Sequence, residues 1–264
     1  MGTPEGRHSR QERFAPVGAA GQARIRAARV LVAGCGGLGS NAANLLARAG
    51  VGLLRIADRD AVEPSNLHRQ ALFTDADARE GTPKALAAAR AIAAIDPGVK
   101  VEPVVADVAA GNVLALLEGV DLAVDGFDSF EARYLLNDAC VRLGLPWVHG
   151  ACLGSTAMAR LVVPGATPCL RCLRRDVPER RPAETSEVAG ILGPAVALAA
   201  SLQAAMALRF LVERAPPPDS AWICADVWDL RVQRLELPPP DEGCPCCAGR
   251  ARASAPRSRS ARRR

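Results

Sequence analysis

Residues 29–40 read RVLVAGCGGLGS, an apolar run that passes through a glycine-rich turn into an alanine-rich stretch. A short apolar run bounded by glycine is typical of a strand that is buried on both faces. We therefore predict a strand at residues 29–33, a tight turn at 34–39 and a helix at 40–49, which Gly50 ends.

The same alternation of strand and helix continues on the carboxyl side of this stretch. Predicted strands are 53–57, 101–105, 122–124, 146–149, 157–163, 222–225 and 230–237, and predicted helices are 82–95, 113–117, 131–143 and most of 191–212. Thr82 is the expected N-cap of the second helix, with Pro83 in its first turn. The segment 176–187 is polar and aperiodic, which predicts a mobile loop.

Alternating buried strands and helices predict an α/β fold. We expect a Rossmann-like, doubly wound and mostly parallel sheet with helices on both faces. After residue 150 the pattern changes, and the late strands are expected to be antiparallel. In such sheets ligands bind at the carboxyl ends of the strands.

Charge and composition exclude some classes of function. Of the 264 residues, 49% are hydrophobic and the formal net charge is +5, but seven arginines lie between Arg250 and Arg264. The rest of the chain is close to neutral, so its net charge does not indicate nucleic-acid binding. Residues 248–264 have no apolar periodicity and are predicted to form a disordered Arg-rich tail.

The chain shows no membrane or export signal, so we expect a cytoplasmic protein. Its N-terminus is polar and charged, unlike a signal peptide. The apolar run 191–212 contains Pro194, Gln203 and Arg209, whereas a transmembrane helix needs about 20 clean apolar residues. A buried helix of small residues is the favoured interpretation.

The glycine turn and a following acid indicate a nucleotide site. Glycines between a strand and a helix let a phosphate approach the positive end of the helix. Asp58 ends the second predicted strand, at the distance where an acid binds a ribose. Alone, these features indicate an adenine nucleotide, of which NAD is the commonest, and a structural glycine turn is the alternative.

Further charged residues follow the same predicted edge. Arg69 and Lys84 offer cations to a triphosphate, and Lys84 is one of only two lysines. Asp128 follows the strand at 122–124 and could hold Mg²⁺ against phosphates. The alternatives are a solvated surface charge for Lys84 and a helix cap for Asp128.

Four cysteines form two Cys-x-x-Cys pairs, Cys169 with Cys172 and Cys244 with Cys247. Two such pairs supply the four thiolates of a tetrahedral structural zinc site. A thioredoxin-like redox pair is the alternative for either pair alone. Cys246 could replace Cys247, although the x-x spacing favours Cys247.

Taken together, these motifs resemble the ThiF/MoeB/HesA family, bacterial relatives of the ubiquitin-activating enzymes. The resemblance runs from about residue 7 to residue 247. It rests on RHSRQ at 7–11, the glycine turn, Asp58-x-Asp60, SNLHRQ at 65–70, Pro83-Lys84, Asp128 and both cysteine pairs.

The resemblance implies ATP-dependent adenylation of the C-terminal glycine carboxylate of a ubiquitin-like sulfur-carrier protein that ends in Gly-Gly, with release of pyrophosphate. Molybdopterin and thiamin-thiazole biosynthesis use such enzymes. The implied nucleotide-binding residues are Gly34, Gly36, Gly37, Asp58, Asn66, Arg69, Lys84, Asp128 and Ser129. Asp58 would hold the ribose, Asn66, Arg69 and Lys84 the phosphates, and Asp128 the Mg²⁺.

The resemblance also implies an assembly. Arg10 would reach the ATP site of the partner subunit in a homodimer, and the zinc would be structural. Residues 1–247 would form one adenylation domain, with a nucleotide-binding part at about 28–150 and a zinc- and carrier-binding part at about 151–247. The sulfur donor would be a separate protein.

One departure limits the expected chemistry. Some family members carry a cysteine for sulfur or thioester transfer, and Ser186 stands in its place here. A serine hydroxyl is hardly ionised, so we predict adenylation without covalent transfer. The alternative functions are an NAD-dependent oxidoreductase and a non-catalytic, nucleotide-binding member of the family.

Overall fold

The computed structural model describes residues 6–178, 186–217 and 220–248, and within them eight strands form one sheet. The strands are β1 Arg29–Ala33, β2 Leu53–Ala57, β3 Lys100–Val104, β4 Leu122–Asp125, β5 Trp147–Leu153, β6 Thr156–Val162, β7 Ala221–Asp226 and β8 Arg231–Glu236. The helices are α1 Ser9–Glu12, α2 Gly18–Ala27, α3 Gly37–Arg48, α4 Asp75–Glu80, α5 Lys84–Ile95, α6 Val113–Leu117, α7 Phe130–Leu143, α8 Leu170–Leu173, α9 Ser186–Ala189 and α10 Gly193–Glu213.

The strand order is β3-β2-β1-β4-β5-β6-β7-β8. Strands β1 to β5 are parallel to one another, whereas the pairs β5–β6, β6–β7 and β7–β8 are antiparallel. The predicted fold class, mostly parallel with antiparallel late strands, is confirmed. From β1 the strand order runs to one side through β2 and β3, and from β4 it continues to the other side. The switch point between β1 and β4 is where doubly wound sheets open a crevice for a ligand.

Both faces of the sheet are covered, which explains why the strands are apolar throughout. Val30 and Val32 pack in a core with residues of α3, α5 and α10. Leu31 and Ala33 point the other way, into a second core with residues of α6 and α7. Successive side chains of a strand alternate between faces, so every position of β1 after Arg29 had to be apolar.

Helix α10 is a core helix, as predicted. By length and composition it could cross a membrane, but 56% of its apolar window is buried inside the fold. Gln203 at its centre is fully buried, and its Nε2 donates to the carbonyl oxygens of Asp125 at 2.7 Å and Val148 at 3.3 Å. These bonds attach α10 to the edges of β4 and β5.

Two predicted helix starts were wrong. Helix α3 begins at Gly37, three residues early, because the glycine at 39 lets its first turn pack against the carbonyl oxygen of Gly34. Thr82 does not cap α5, because Pro83 occupies the N-cap position and the Thr82 hydroxyl donates to Glu80 Oε2 at 3.4 Å.

Other boundaries agree with prediction to within a few residues. The predicted loop 176–187 overlaps α9 at its end, and its residues 179–185 lie outside the described part of the chain. The predicted tail also lies outside it, apart from Ala248.

Candidate functional site

The glycine turn forms the floor of the crevice between β1 and β4. Gly34 has a φ of +88°, and a Cβ on it would lie 2.8 Å from the carbonyl oxygen of Gly126. A Cβ on Gly39 would lie 1.9 Å from the carbonyl oxygen of Gly34. Glycine is therefore required at both positions. The turn places the positively polarised N-terminus of α3 at the carboxyl ends of the strands.

Above this floor, the approach to Gly36 is open. The nearest heavy atom to a Cβ built there is Gln70 Nε2 at 4.0 Å. Backbone N–H groups at the start of a helix have no partner within the helix and attract anions. The predicted role of Gly34, Gly36 and Gly37 as a phosphate cradle fits this geometry.

Asp58 lies directly after β2 and contacts the turn. Its Oδ2 accepts from Cys35 N at 2.6 Å and its Oδ1 accepts from Asp60 N at 2.8 Å. Burial raises the pKa of Asp58, and the two backbone N–H groups act against that rise. A carboxylate has about four lone-pair positions, so two remain for the hydroxyls of a ribose.

Lys84 enters the site from the first turn of α5. Only 8% of its side chain is exposed, and its Nζ lies 3.0 Å from Asp60 Oδ2, which itself follows Asp58 by two residues. The structure therefore excludes a solvated surface charge. A buried ammonium with one half-exposed partner carries charge that an anionic ligand can use.

Arg69 approaches the turn from the segment after β2. Its Cγ and Cδ lie 3.7 Å from the position of a Cβ on Gly37. The backbone here is fixed by Asn41, whose Nδ2 donates to the carbonyl oxygens of Gly37 at 2.7 Å and Arg69 at 2.8 Å. The Nη1 of Arg69 donates to the carbonyl oxygen of Ser65 at 2.8 Å.

Asn66 lies in the same segment and is 7% exposed. Its Oδ1 accepts from Glu63 N at 3.4 Å, which closes the short 3₁₀ helix Pro64–Asn66. This contact gives Asn66 a local structural role, and its predicted phosphate contact stays a prediction.

Asp128 follows β4 on the other side of the crevice. Gly126 N donates to the carbonyl oxygen of Ala33 at 2.8 Å, which holds this loop beside the glycine turn. The alternative helix-cap role belongs to Ser129 instead, whose Oγ accepts from Ala132 N at 3.3 Å. Asp128 itself is exposed at the crevice.

Sequence reasoning missed a buried network behind Asp128. Asp125 is fully buried, with its Oδ2 2.6 Å from His149 Nδ1 and 3.2 Å from Arg133 Nε. Its Oδ1 accepts from Phe127 N at 2.9 Å, and Arg133 Nη2 donates to the carbonyl oxygen of Phe127 at 2.7 Å. Both backbone groups of Phe127 are thus fixed, which positions the loop that carries Asp128.

The charges in this network follow from burial. Burial alone would raise the pKa of Asp125, but Arg133 and His149 outweigh it and hold the pKa below its ordinary value. Burial lowers the pKa of His149 despite the adjacent carboxylate. At neutral pH the ring is therefore neutral and donates its Nδ1–H to Asp125.

The cross-strand register continues this buried network from β5 to the neighbouring strands β6 and β7. His149 on β5 lies opposite Arg160 on β6. The guanidinium carbon of Arg160 lies 5.4 Å from the ring centre of Trp222 on β7, and the His149 and Trp222 rings meet edge to face at 4.9 Å. The sequence signal of this network is a polar residue, His149 or Arg160, inside an otherwise largely apolar strand.

The four predicted metal ligands meet although 75 residues separate the two pairs. Their sulfur atoms all lie within 4.8 Å of one another. Cys169 Sγ lies 3.6 Å from Cys244 Sγ and 3.8 Å from Cys172 Sγ, and Cys172 Sγ lies 3.2 Å from Cys247 Sγ. Thiolates at about 2.3 Å from a tetrahedral zinc would be about 3.8 Å apart, so the cluster fits zinc.

Cys246 does not belong to the group of four. Its Sγ accepts instead from Asn137 Nδ2 at 3.6 Å. The spacing argument for Cys247 over Cys246 agrees with this placement.

Arg10 does not join the other predicted residues within one chain. The neighbouring Gln11 donates to the carbonyl oxygen of Ala49 at 3.0 Å and to Gln22 Oε1 at 2.7 Å, which places α1 at the carboxyl end of α3. The glycine turn is at the amino end, about 17 Å away at 1.5 Å per residue. Arg10 of the same chain is therefore at the wrong end of α3 to bind the nucleotide.

Comparison with known proteins agrees with this geometry. The chain is 42% identical over 248 residues to the sulfur carrier protein ThiS adenylyltransferase of Bacillus subtilis, covering 92% of this chain and 71% of that protein. It is 39% identical over 242 residues to the SAMP-activating enzyme E1 of Haloferax volcanii, covering 91% of this chain and 88% of that protein.

The fold has a counterpart among solved structures. A crystal structure of E. coli MccB with MccA-N7isoASN superimposes with a TM-score of 0.79, covering 94% of this chain and 75% of that chain at 23% identity. The ThiF family itself matches residues 8–246, nearly the whole length. A family match of this extent, together with relatives near 40% identity, shows that the chain belongs to the ThiF family.

Proposed function

We propose that this protein uses ATP to adenylate the C-terminal glycine carboxylate of a small ubiquitin-like sulfur-carrier protein. The observation that carries the proposal is that Asp58, Arg69 and the Gly126 backbone all lie against the glycine turn at the carboxyl ends of the strands. Lys84 pairs with Asp60, two residues after Asp58, and Asp128 follows Gly126 by two residues. The names of the relatives, which are sulfur carrier adenylyltransferases, support the choice of reaction and acceptor.

The proposed reaction needs no general base, because a carboxylate is already ionised at neutral pH. One carboxylate oxygen attacks the α-phosphorus of ATP and forms an acyl-phosphate bond. The bond from that phosphorus to the β-phosphate oxygen breaks, and pyrophosphate leaves with its electrons. No proton is transferred, so catalysis depends on position and on neutralising charge.

Each group of residues in the site has its own role in the proposed reaction. Gly36, Gly37 and the start of α3 hold phosphate oxygens with N–H groups, while Asp58 holds the ribose. Arg69 and Lys84 approach the same turn and oppose the negative charge of the triphosphate.

Magnesium fits one acid of the β4 loop. Asp125 is fully buried and bonded to Arg133 and His149, whereas Asp128 is exposed beside the phosphate cradle. Magnesium usually takes one or two carboxylates and completes its shell with phosphates and water. We assign Asp128 as its protein ligand and Ser129 as its neighbour on the nucleotide; the ion would neutralise phosphate charge.

A shared site between two subunits explains the position of Arg10. Because α1 is anchored about 17 Å from the glycine turn of its own chain, Arg10 is assigned to the nucleotide of the partner subunit in a homodimer. Mixing Arg10→Ala protein with Asp128→Ala protein would then restore part of the activity. Two inactive variants that stay inactive when mixed and shown to exchange subunits would contradict this assignment.

The remaining details of the proposal concern partners. The carrier ends in Gly-Gly, the sulfur donor is a separate protein, and the reaction takes place in the cytoplasm, in a pathway such as molybdopterin or thiamin-thiazole biosynthesis. Residues at about 28–150 bind the nucleotide and residues at about 151–247 bind zinc and the carrier. With Ser186 in place of a cysteine, the enzyme releases the adenylate without a covalent enzyme intermediate.

Exchange of labelled pyrophosphate into ATP tests the proposal. We expect exchange only with a carrier whose C-terminal Gly-Gly is intact, and none with the same carrier lacking its last glycine. ATP binding without exchange, over a panel of carriers, would support a non-catalytic member instead. The relatives give no support to an oxidoreductase, and stabilisation by NAD but not by Mg-ATP would be its signature.

A further inference from the structure

A fully buried arginine lies beside the cysteine cluster. Arg160 on β6 is 0% exposed, and its Nη2 donates to the carbonyl oxygen of Pro168, the residue before Cys169. Its Nε and Nη1 are buried and have no hydrogen-bond acceptor in the described part of the chain. Within the described residues no carboxylate forms an ion pair with it, so its charge needs another explanation.

The first cysteine pair lies close to this charge, because the carbonyl oxygen that Arg160 binds belongs to the residue before Cys169. Burial lowers the pKa of Arg160 to about 10, and the charges of Cys169 and Cys172 act in the opposite direction. The ring of Trp222, with its centre 5.4 Å from the guanidinium carbon, adds a cation–π contact. Arg160 therefore contacts an aromatic ring and the backbone beside the first cysteine pair.

A zinc ion with four thiolates has a net charge of about −2, which is costly to bury without a cation. Few other groups offset it: Asp241 N donates to Cys172 Sγ at 3.4 Å, and Cys246 N donates to Cys244 Sγ at 3.5 Å.

A second arginine at the cluster, Arg171, already has a carboxylate partner. Arg171 binds Asp138 with two N–H groups, its Nε at 2.8 Å from Oδ1 and its Nη2 at 2.7 Å from Oδ2. Arg160 is the buried cation near the cluster, and its charge has no carboxylate partner among the described residues.

We propose that Arg160 is the buried counter-cation of the four-cysteine zinc site and determines how tightly the metal is held. Its Nη2 binds the carbonyl oxygen of Pro168, directly before the first ligand, while its Nε–H and Nη1–H are buried with no hydrogen-bond acceptor among the described residues. This role is independent of the adenylation reaction, since it concerns the retention of zinc.

Zinc retention in purified protein tests the role. The concentration of chelator that removes half of the zinc is measured for wild type, Arg160→Met and Arg160→Lys. We expect Arg160→Met to lose zinc at a concentration at least about tenfold lower, which is the usual loss when a partner of a metal ligand is removed. Arg160→Lys keeps the charge and should stay closer to wild type than to Arg160→Met.

Arg55→Met is the matched control. Arg55 on β2 is largely buried, with 16% of its side chain exposed, and it pairs with Glu102 at 2.8 Å, away from the cysteines. We expect it to retain zinc like wild type. Equal zinc loss in Arg55→Met and Arg160→Met would overturn the proposal, because general destabilisation would explain both.

If Arg160→Met does not fold, Arg160→Gln replaces it, because the amide keeps an N–H donor for the carbonyl of Pro168. Zinc retention at the wild-type chelator concentration in a folded neutral variant overturns the proposal. Loss of zinc from Arg160→Lys to the same extent as from the neutral variant also overturns it.

Discussion

Replacing Lys84 by methionine tests whether the charge of this side chain serves the reaction or only the stability of the fold. The change removes the ammonium and keeps an unbranched apolar stem in a site where 8% of the side chain is exposed. Two unit charges 4 Å apart at an effective dielectric constant of 20 interact by about 4 kcal/mol. Loss of one positioned donor in an enzyme costs roughly 10²–10³ in rate. We therefore expect kcat/KM for adenylation to fall by about 10²–10³.

The same substitution should leave the fold nearly intact. The partner of Lys84 is Asp60, whose side chain is 56% exposed, so water solvates its carboxylate once the ammonium is gone. We expect the free energy of unfolding to change by less than about 1 kcal/mol, as for other half-exposed ion pairs.

The chain provides a matched control, because Lys100 is its only other lysine. Lys100 is exposed at the start of β3, at the end of the sheet opposite to the crevice. Pyrophosphate exchange is measured for Lys84→Met, Lys84→Arg and Lys100→Met with the same carrier. Equal rates for Lys84→Met and Lys100→Met would refute the phosphate-binding role.

The remaining predictions concern the metal ligands and the buried histidine. Asp128→Asn should lower pyrophosphate exchange by about 10² or more without loss of stability, whereas Glu131→Gln in the next helical turn should not. Because burial lowers the pKa of His149, the unfolded chain binds a proton that the native state does not, so stability falls as pH drops below 6.5. His149→Gln should flatten that fall by up to about 1.4 kcal/mol per pH unit in denaturant unfolding, and an unchanged slope would count against a neutral buried ring. Cys172→Ser should lower both zinc content and melting temperature, whereas Cys224→Ser, outside the cluster, should keep its zinc.

Much of the sheet could be predicted because its strands are buried on both faces. Runs such as residues 30–33 are uniformly apolar, and glycines mark where they end. The cysteine spacing likewise predicted a cluster that the fold then brings together across 75 residues. Burial on both faces requires apolar strands, and a four-cysteine site requires paired cysteines, so both requirements are visible in the sequence itself.

What could not be predicted depends on tertiary contacts. Gly39 was predicted to belong to the turn, but it lies in the first turn of α3. There its missing side chain leaves room for the carbonyl oxygen of Gly34. Asp125 and His149 meet only because β4 and β5 are neighbours with one particular register. Nothing local in the sequence specifies that register.

The proposed reaction forms an acyl-adenylate at the crevice between β1 and β4. Intact-mass measurement of the carrier protein after incubation with the enzyme and Mg-ATP tests it most directly. We expect a carrier that is heavier by one AMP group and reverts on addition of pyrophosphate, and an enzyme of unchanged mass. An unmodified carrier in the presence of ATP-bound enzyme would contradict it.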